Sequence, residues 1–214
     1  MNKLLNRFKG CILGGAVGDA LGYPIEFMSE EEIFSIYGKD GITVYNLNNG
    51  VAEISDDTQM TLFTIDGLLL SDGDEIESLR KCYIDWANTQ IGDINIGIEG
   101  YSNLLNIKEL FSSREPGRTC LMSIWNGANG TLETQINNSK GCGGIMRTAP
   151  IGLYFKNKSL KETAFLAAKA SALTHSHELA YLSSAIFAVI IACIVHYNMN
   201  IEGAIIKSIE VVKE

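Results

Sequence analysis

Alternation of apolar and polar residues, the mark of a half-buried strand, is nearly absent from this chain, and helix-start signatures recur in its place. Ser29-Glu30-Glu31-Glu32 reads as a capping box stopped by Gly38, and Ser159-Leu160-Lys161-Glu162 reads as a second box. Asp74 opens a further helix in which Ile76, Leu79, Tyr83 and Trp86 share one face. After Asn200, the residues Ile201, Ala204, Ile205, Ile209 and Val212 trace another helical stripe. Gly41 to Asn46 is the one weak strand candidate. The pattern predicts an all-α fold: a compact multi-helix bundle with functional loops between helices, forming a single domain over residues 1–214.

The first helical stretch is unusual. Gly10, Gly14, Gly18 and Gly22 recur every fourth residue and would form a bare ridge. An interior helical glycine costs about 1 kcal/mol relative to alanine, so close approach of another helix is the expected compensation. Leu4, Leu5, Phe8 and Ile12 would fill its flanks.

A net charge of -8 disfavours non-specific nucleic-acid binding and attraction to an anionic membrane surface. Five cysteines without paired spacing suit reduced thiols and a cytoplasmic setting. Met1 to Gly22 has basic residues before an apolar run, as a signal peptide does, but Asp19 and the glycines interrupt it. Leu179 to Val195 is apolar, short for a membrane span and without basic flanks, and reads as a buried core helix.

Four segments hold groups suited to chemistry. In Ser55-Asp56-Asp57 a hydroxyl and two carboxylates stand together at a helix start. As local structure they cap that helix; as ligands they are hard oxygen donors for Mg²⁺, Mn²⁺ or Ca²⁺. Glu26 follows Pro24 in a turn, where a carboxylate could contact a sugar hydroxyl or handle a proton. Gly141-Cys142-Gly143-Gly144 precedes Ile145 and Met146, and consecutive amides at such a turn can cradle a diphosphate. Arg147 could add charge there or pair with an acid. His175 and His177 are two residues apart and share no helical face, which argues against a joint zinc site. A hydrogen-bonding role for His175 beside Thr174 fits better, with His196 a bystander.

Taken together and in this order, the segments from Gly14 to His177 resemble the ADP-ribosylglycohydrolase family. The resemblance implies an all-helical fold and a magnesium site, with Mn²⁺ as the alternative ion, that removes ADP-ribose from a modified protein or small molecule. It implies Ser55, Asp56 and Asp57 as metal ligands and Glu26 and Asp57 as catalytic residues. It further implies Glu26, Asn95, Gly143, Gly144, Ile145, Met146 and His175 as substrate contacts. Asn95 stands where bacterial members often carry an aspartate, unless Asp93 takes that role. Family members are longer and carry an Asp-x-Asp-Thr/Ser motif near the C-terminus, and nothing between His177 and Glu214 resembles it. The chain is therefore expected to correspond to the N-terminal two-thirds of the family fold. The alternative expectation is a non-catalytic member that binds ADP-ribose or blocks an ADP-ribosylating toxin.

Overall fold

The computed structural model describes residues 3–93, 99–154 and 158–213. Among them the regular secondary structure is helical apart from one minimal hairpin, as the patterning requires. Helix α1 (Lys3–Gly22) ends in a short 3₁₀ turn (Tyr23–Ile25) with Pro24 in its first turn. Helix α2 (Glu30–Tyr37) starts at the expected capping box: Ser29 caps it, Glu32 bonds back to the Ser29 amide at 2.7 Å, and Gly38 ends it. Strands β1 (Leu47–Asn48) and β2 (Val51–Ala52) pair antiparallel through Asn49 and Gly50, both at positive φ. The strand therefore lies just beyond Gly41 to Asn46, because the Asn-Gly turn dictates where the chain can reverse.

Helices α3 (Asp56–Leu70) and α4 (Glu75–Ile91) form the centre. Asp74 caps α4 through the Glu77 amide at 3.0 Å, which sets the rotation of that helix. Leu79, Tyr83 and Trp86 are thereby fully buried against Met60 and Phe63 of α3, with Ile76 at the margin. Several buried polar groups of this layer bond one another, while Gln90 Oε1 is left without a partner. Trp86 Nε1 and Gln90 Nε2 both donate to Gln59 Oε1, at 3.1 and 3.0 Å, and Gln59 Nε2 donates to the Ser112 carbonyl at 3.0 Å. Through Gln59 the core also fixes the loop that crosses the start of α3. Asp66 and Asp85 are structural acids of the same layer: they accept from the amides of Asn103 and of Tyr101 and Ser102 at 2.6–2.8 Å.

Helices α5 (Arg118–Trp125), α6 (Ala149–Leu153), α7 (Leu160–Ala172), α8 (Glu178–His196) and α9 (Ile201–Lys213) complete the described elements. The Ser159 capping box opens α7 as expected. Helix α8 is long and apolar enough to cross a membrane, yet it packs against α6, α7 and α9, burying Ser184, Ala185, Ala188, Val189, Ala192 and Cys193. Small residues let the backbones meet: a Cβ at Gly152 of α6 would lie 2.4 Å from the Ala188 carbonyl oxygen. The α9 stripe turns out differently. Only Ala204 and Ser208 are buried, while Ile201, Ile205 and Ile209 stay exposed, because α9 meets α8 through its small side chains.

The glycine ridge of α1 also departs from expectation. A Cβ at Gly10, Gly14, Gly18 or Gly22 would meet nothing within 4 Å, so among the described residues no helix packs closely on this face. The ridge lines an open cavity instead, and Leu4 and Leu5 are exposed while Phe8 stacks edge-on to His196 at 5.9 Å. Near its start α1 is fastened to α8 by Arg7, which donates to the Val195 carbonyl at 2.8 Å and to Asn198.

Two stability measurements check this packing. Trp86→Ala should cost about 3–5 kcal/mol in urea unfolding, and a loss below about 1 kcal/mol would contradict its central place. Gly14→Ala should instead stabilise by about 0.4–1 kcal/mol, since the helix gains propensity and nothing is displaced. Destabilisation by Gly14→Ala would mean that another element does press on the ridge.

Candidate functional site

The site is organised where α1 meets α3. The backbone amides at a helix start lack intrahelical partners and need an outside acceptor. Here the acceptor comes from another helix: the Asp19 carboxylate takes the Ser55 amide at 3.0 and 3.2 Å, the Thr58 amide at 3.2 Å and the Thr58 hydroxyl at 2.5 Å. Ser55 adds its own cap, its Oγ accepting from the Asp57 amide at 3.1 Å. The tripeptide is thus both a helix cap and a row of oxygen donors, and the two readings coexist.

Asp56 and Asp57 diverge from that cap. Asp56 turns toward α5, where its Oδ2 accepts from the Gly117 amide at 3.0 Å and its own amide donates to the Arg114 carbonyl at 3.0 Å. Burial pushes its carboxyl up to about 7, against the lowering effect of the Gly117 bond and with help from Asp57, Glu26 and Asp19. Asp57 faces the cavity, and burial, then Asp19 and Glu26, push it up to about 6. Glu26 follows the Pro24 turn, as expected, and projects into the same cavity. Its pKa is raised by desolvation, then by Asp19 and Glu115. Three carboxylates, Asp19, Glu26 and Asp57, therefore line a cavity of ≈ 710 Å³, and Asp56 behind them adds to the repulsion. Such crowding is the electrostatic counterpart of a cation.

The glycine segment lies alongside. Thr61 of α3 donates to the Met146 carbonyl at 3.2 Å, and Met146 lines the cavity. Gly141 and Cys142 form the exposed rim, while Gly143 and Gly144 are buried beneath it, ahead of a 3₁₀ turn over Ile145–Arg147. Gly143 has a steric reason: a Cβ there would lie 2.6 Å from both Cys120 Sγ and His175 Cε1. His175 thus sits directly behind the rim. It is 2% exposed, its Nδ1 is 2.9 Å from Thr174 Oγ1, and burial and then the Arg147 charge push its pKa down to about 4. Arg147 is fully buried and, among the described residues, pairs with no carboxylate; it stacks over Tyr83 at 4.3 Å instead.

Other expectations resolve simply. His177 caps α8, its Nδ1 accepting from the Leu179 amide at 3.1 Å, which leaves His175 alone at the site. Asn95 lies outside the described residues. Asp19, Arg114, Glu115 and Gly117 belong to the site's framework without having been singled out as site residues. Arg114 holds Glu53 at 2.6 Å beside the cavity mouth. Asp19 had a visible signal, a charge at the end of a glycine-rich apolar helix; the 112–117 loop had none. Among the described residues, no three His, Cys, Asp or Glu side chains converge tightly enough to form a metal cluster by themselves. A cation here would share Asp57, Asp56 and the Ser55 hydroxyl with water.

The sequence profile of the ADP-ribosylglycohydrolase family matches residues 1–214. A protein of Archaeoglobus fulgidus described as uncharacterized is 29% identical over 193 residues, covering 87% of this chain and 55% of that protein. The chain thus spans about half the length of the curated relative it matches.

The raised acids give a signed stability test. An acid whose folded pKa exceeds its unfolded value contributes stability at low pH that is lost as pH climbs from the unfolded to the folded value. For Asp57 that window runs from 3.8 to about 6. In chelator, Asp57→Asn should therefore unfold at higher urea than the native protein at pH 7.5, with the advantage vanishing near pH 4. An advantage that persists at pH 4 would assign the effect to something other than the charge.

Proposed function

The chain belongs to the ADP-ribosylglycohydrolase family, and from that premise we propose that its acidic cavity binds ADP-ribose linked to a protein or small molecule and hydrolyses the glycosidic bond with a divalent cation. The observation that carries the reading is that Glu26, Asp57 and Met146 line one cavity while Cys142 of the glycine segment lies close enough to feel the Asp57 and Glu26 charges. The donor set is all hard oxygen, with carboxylates whose pKa values are raised first by burial and then by neighbouring acids; this fits Mg²⁺, with Mn²⁺ as the alternative, held by Asp57, Asp56 and Ser55. When bound, such an ion orients the ribose and lowers the pKa of a water.

The chain's own residues supply the rest. Glu26, with its raised pKa, keeps its proton to higher pH than an ordinary carboxyl and can hand it to or take it from the ribose side of the breaking bond. The anomeric carbon gains oxocarbenium character as that bond lengthens, and the carboxylate group around Asp57 stabilises the positive charge. Amides of the glycine segment hold the diphosphate, and His175 faces the same segment from behind. The five free cysteines support a reducing, cytoplasmic setting for this chemistry.

A second reading follows from one observation: among the described residues no three His, Cys, Asp or Glu side chains converge on a metal. On it, the chain binds ADP-ribose without turnover. One assay separates the two. Incubation with an ADP-ribosylated peptide should release ADP-ribose with Mg²⁺, stop in chelator and restart with Mn²⁺. Glu26→Gln should lower kcat by about 10²–10⁴-fold, and Asp57→Ala should abolish release. Calorimetric ADP-ribose binding without release under either metal would select the second reading, and neither binding nor release would remove both.

A further inference from the structure

Arg147 is a buried guanidinium whose hydrogen bonds lead toward the glycine segment and not toward an acid. Its Nη2 donates to the Ala170 carbonyl at 3.1 Å and to Thr174 Oγ1 at 2.8 Å. A guanidinium can only donate, so Thr174 Oγ1 must accept there, leaving the threonine hydroxyl with one proton to give. The acceptor in reach is His175 Nδ1, at 2.9 Å. An imidazole that accepts at Nδ1 and stays neutral carries its proton on Nε2. Burial beside a second cation opposes the doubly protonated form, in line with the depressed His175 pKa. The Nε2 edge then faces the glycine segment: a Cβ on Gly143 would lie 3.1 Å from Nε2, and one on Gly141 3.7 Å.

We propose that Arg147 and Thr174 are positioning residues that lock His175 as a neutral imidazole protonated at Nε2, so that it offers one fixed donor to an anionic oxygen seated on the Gly141–Gly143 segment. The direction of the relay is dictated by chemistry at each step: guanidinium N–H to hydroxyl oxygen, hydroxyl O–H to Nδ1, Nε2–H to the ligand. Rotation of the Thr174 hydroxyl away from Nδ1 would leave that nitrogen unpaired in a buried site, which is costly. Arg147 contributes charge as well. Its guanidinium acts in the buried layer behind the rim, on Cys120 and His175, while Asp57, Asp56 and Glu26 act on Cys142 at the rim itself. The identity of that anion, a diphosphate of ADP-ribose, rests on the function proposed above; the tautomer does not.

The two claims are tested separately. The chain has three histidines, so long-range ¹H–¹⁵N spectra of the labelled protein, with His177→Gln and His196→Gln for assignment, isolate the His175 ring. The expected native pattern between pH 6 and 8 is an aprotic Nδ1 and a protonated Nε2. Thr174→Val should mix the tautomers and raise the Kd for ADP-ribose about tenfold by calorimetry, the worth of one oriented hydrogen bond. Thr174→Ser, which keeps the hydroxyl, should restore both. A native His175 protonated at Nδ1 overturns the proposal whatever the variants do, as does Thr174→Val with unchanged tautomer and affinity. Should Thr174→Val fail to fold, the native spectrum and the serine variant decide the matter. A native Nε2–H signal with no ADP-ribose binding keeps the lock and removes the ADP-ribose reading.

Discussion

The structure around the cavity depends on a carboxylate from one helix closing the start of another. Helix α3 begins with amides that no residue of its own can fully satisfy, and Asp19 of α1 reaches across to take the amides of Ser55 and Thr58. An ionised acceptor at a helix N-terminus combines hydrogen bonding with a favourable dipole, so this contact is stronger than a neutral cap. Its geometric effect matters as much. It fixes the rotation of α3, which sends Asp57 into the cavity and Asp56 toward the Gly117 amide, and it brings Glu26, just past the 3₁₀ turn that follows α1, to the same opening.

The same contact has an electrostatic cost that shapes the site. A carboxylate spent on capping is also a negative charge beside two more, and Asp19 contributes to raising Asp56, Asp57 and Glu26 alike. The cavity is thus strained toward accepting positive charge on one side. Behind the glycine segment, whose Cys142 also feels these acids, lies Arg147, a cation stabilised by carbonyl and hydroxyl oxygens and by the face of Tyr83.

Local signals in the sequence were enough for the elements that depend on local chemistry. The Ser29 and Ser159 capping boxes, the Asp74 start and the Leu79–Tyr83–Trp86 face are interactions between residues close in the chain, and they stand in the structure as read. Ser55, Asp56, Asp57, Glu26 and His175 were legible as chemically equipped positions; Ser55, Asp57 and Glu26 line one cavity, whereas Asp56 turns toward α5 and His175 sits behind the glycine segment. What local reasoning could not supply was the partner across space. Asp19 and Ser55 are 36 positions apart, and Arg147 and Thr174 are 27 apart, so neither pairing leaves a periodic trace. The glycine ridge misled for the same reason: a bare helical face says that something is absent, and whether a helix or open space adjoins it is decided by elements far along the chain. The α9 stripe failed because small residues, not the isoleucines, make the contact with α8.

Helix α1 has only Ala20 fully buried, and is tied down by Arg7 near its beginning and Asp19 near its end. Opening free energy varies across a native protein with the density of buried contacts, so a segment held this way detaches at far lower cost than the α3–α4 centre. Detachment would carry off one cavity wall and uncap α3 while the centre stays intact. Competence of the site is therefore a property of subglobal breathing: a population of otherwise native molecules, invisible to bulk melting, in which the ligand has nowhere to sit.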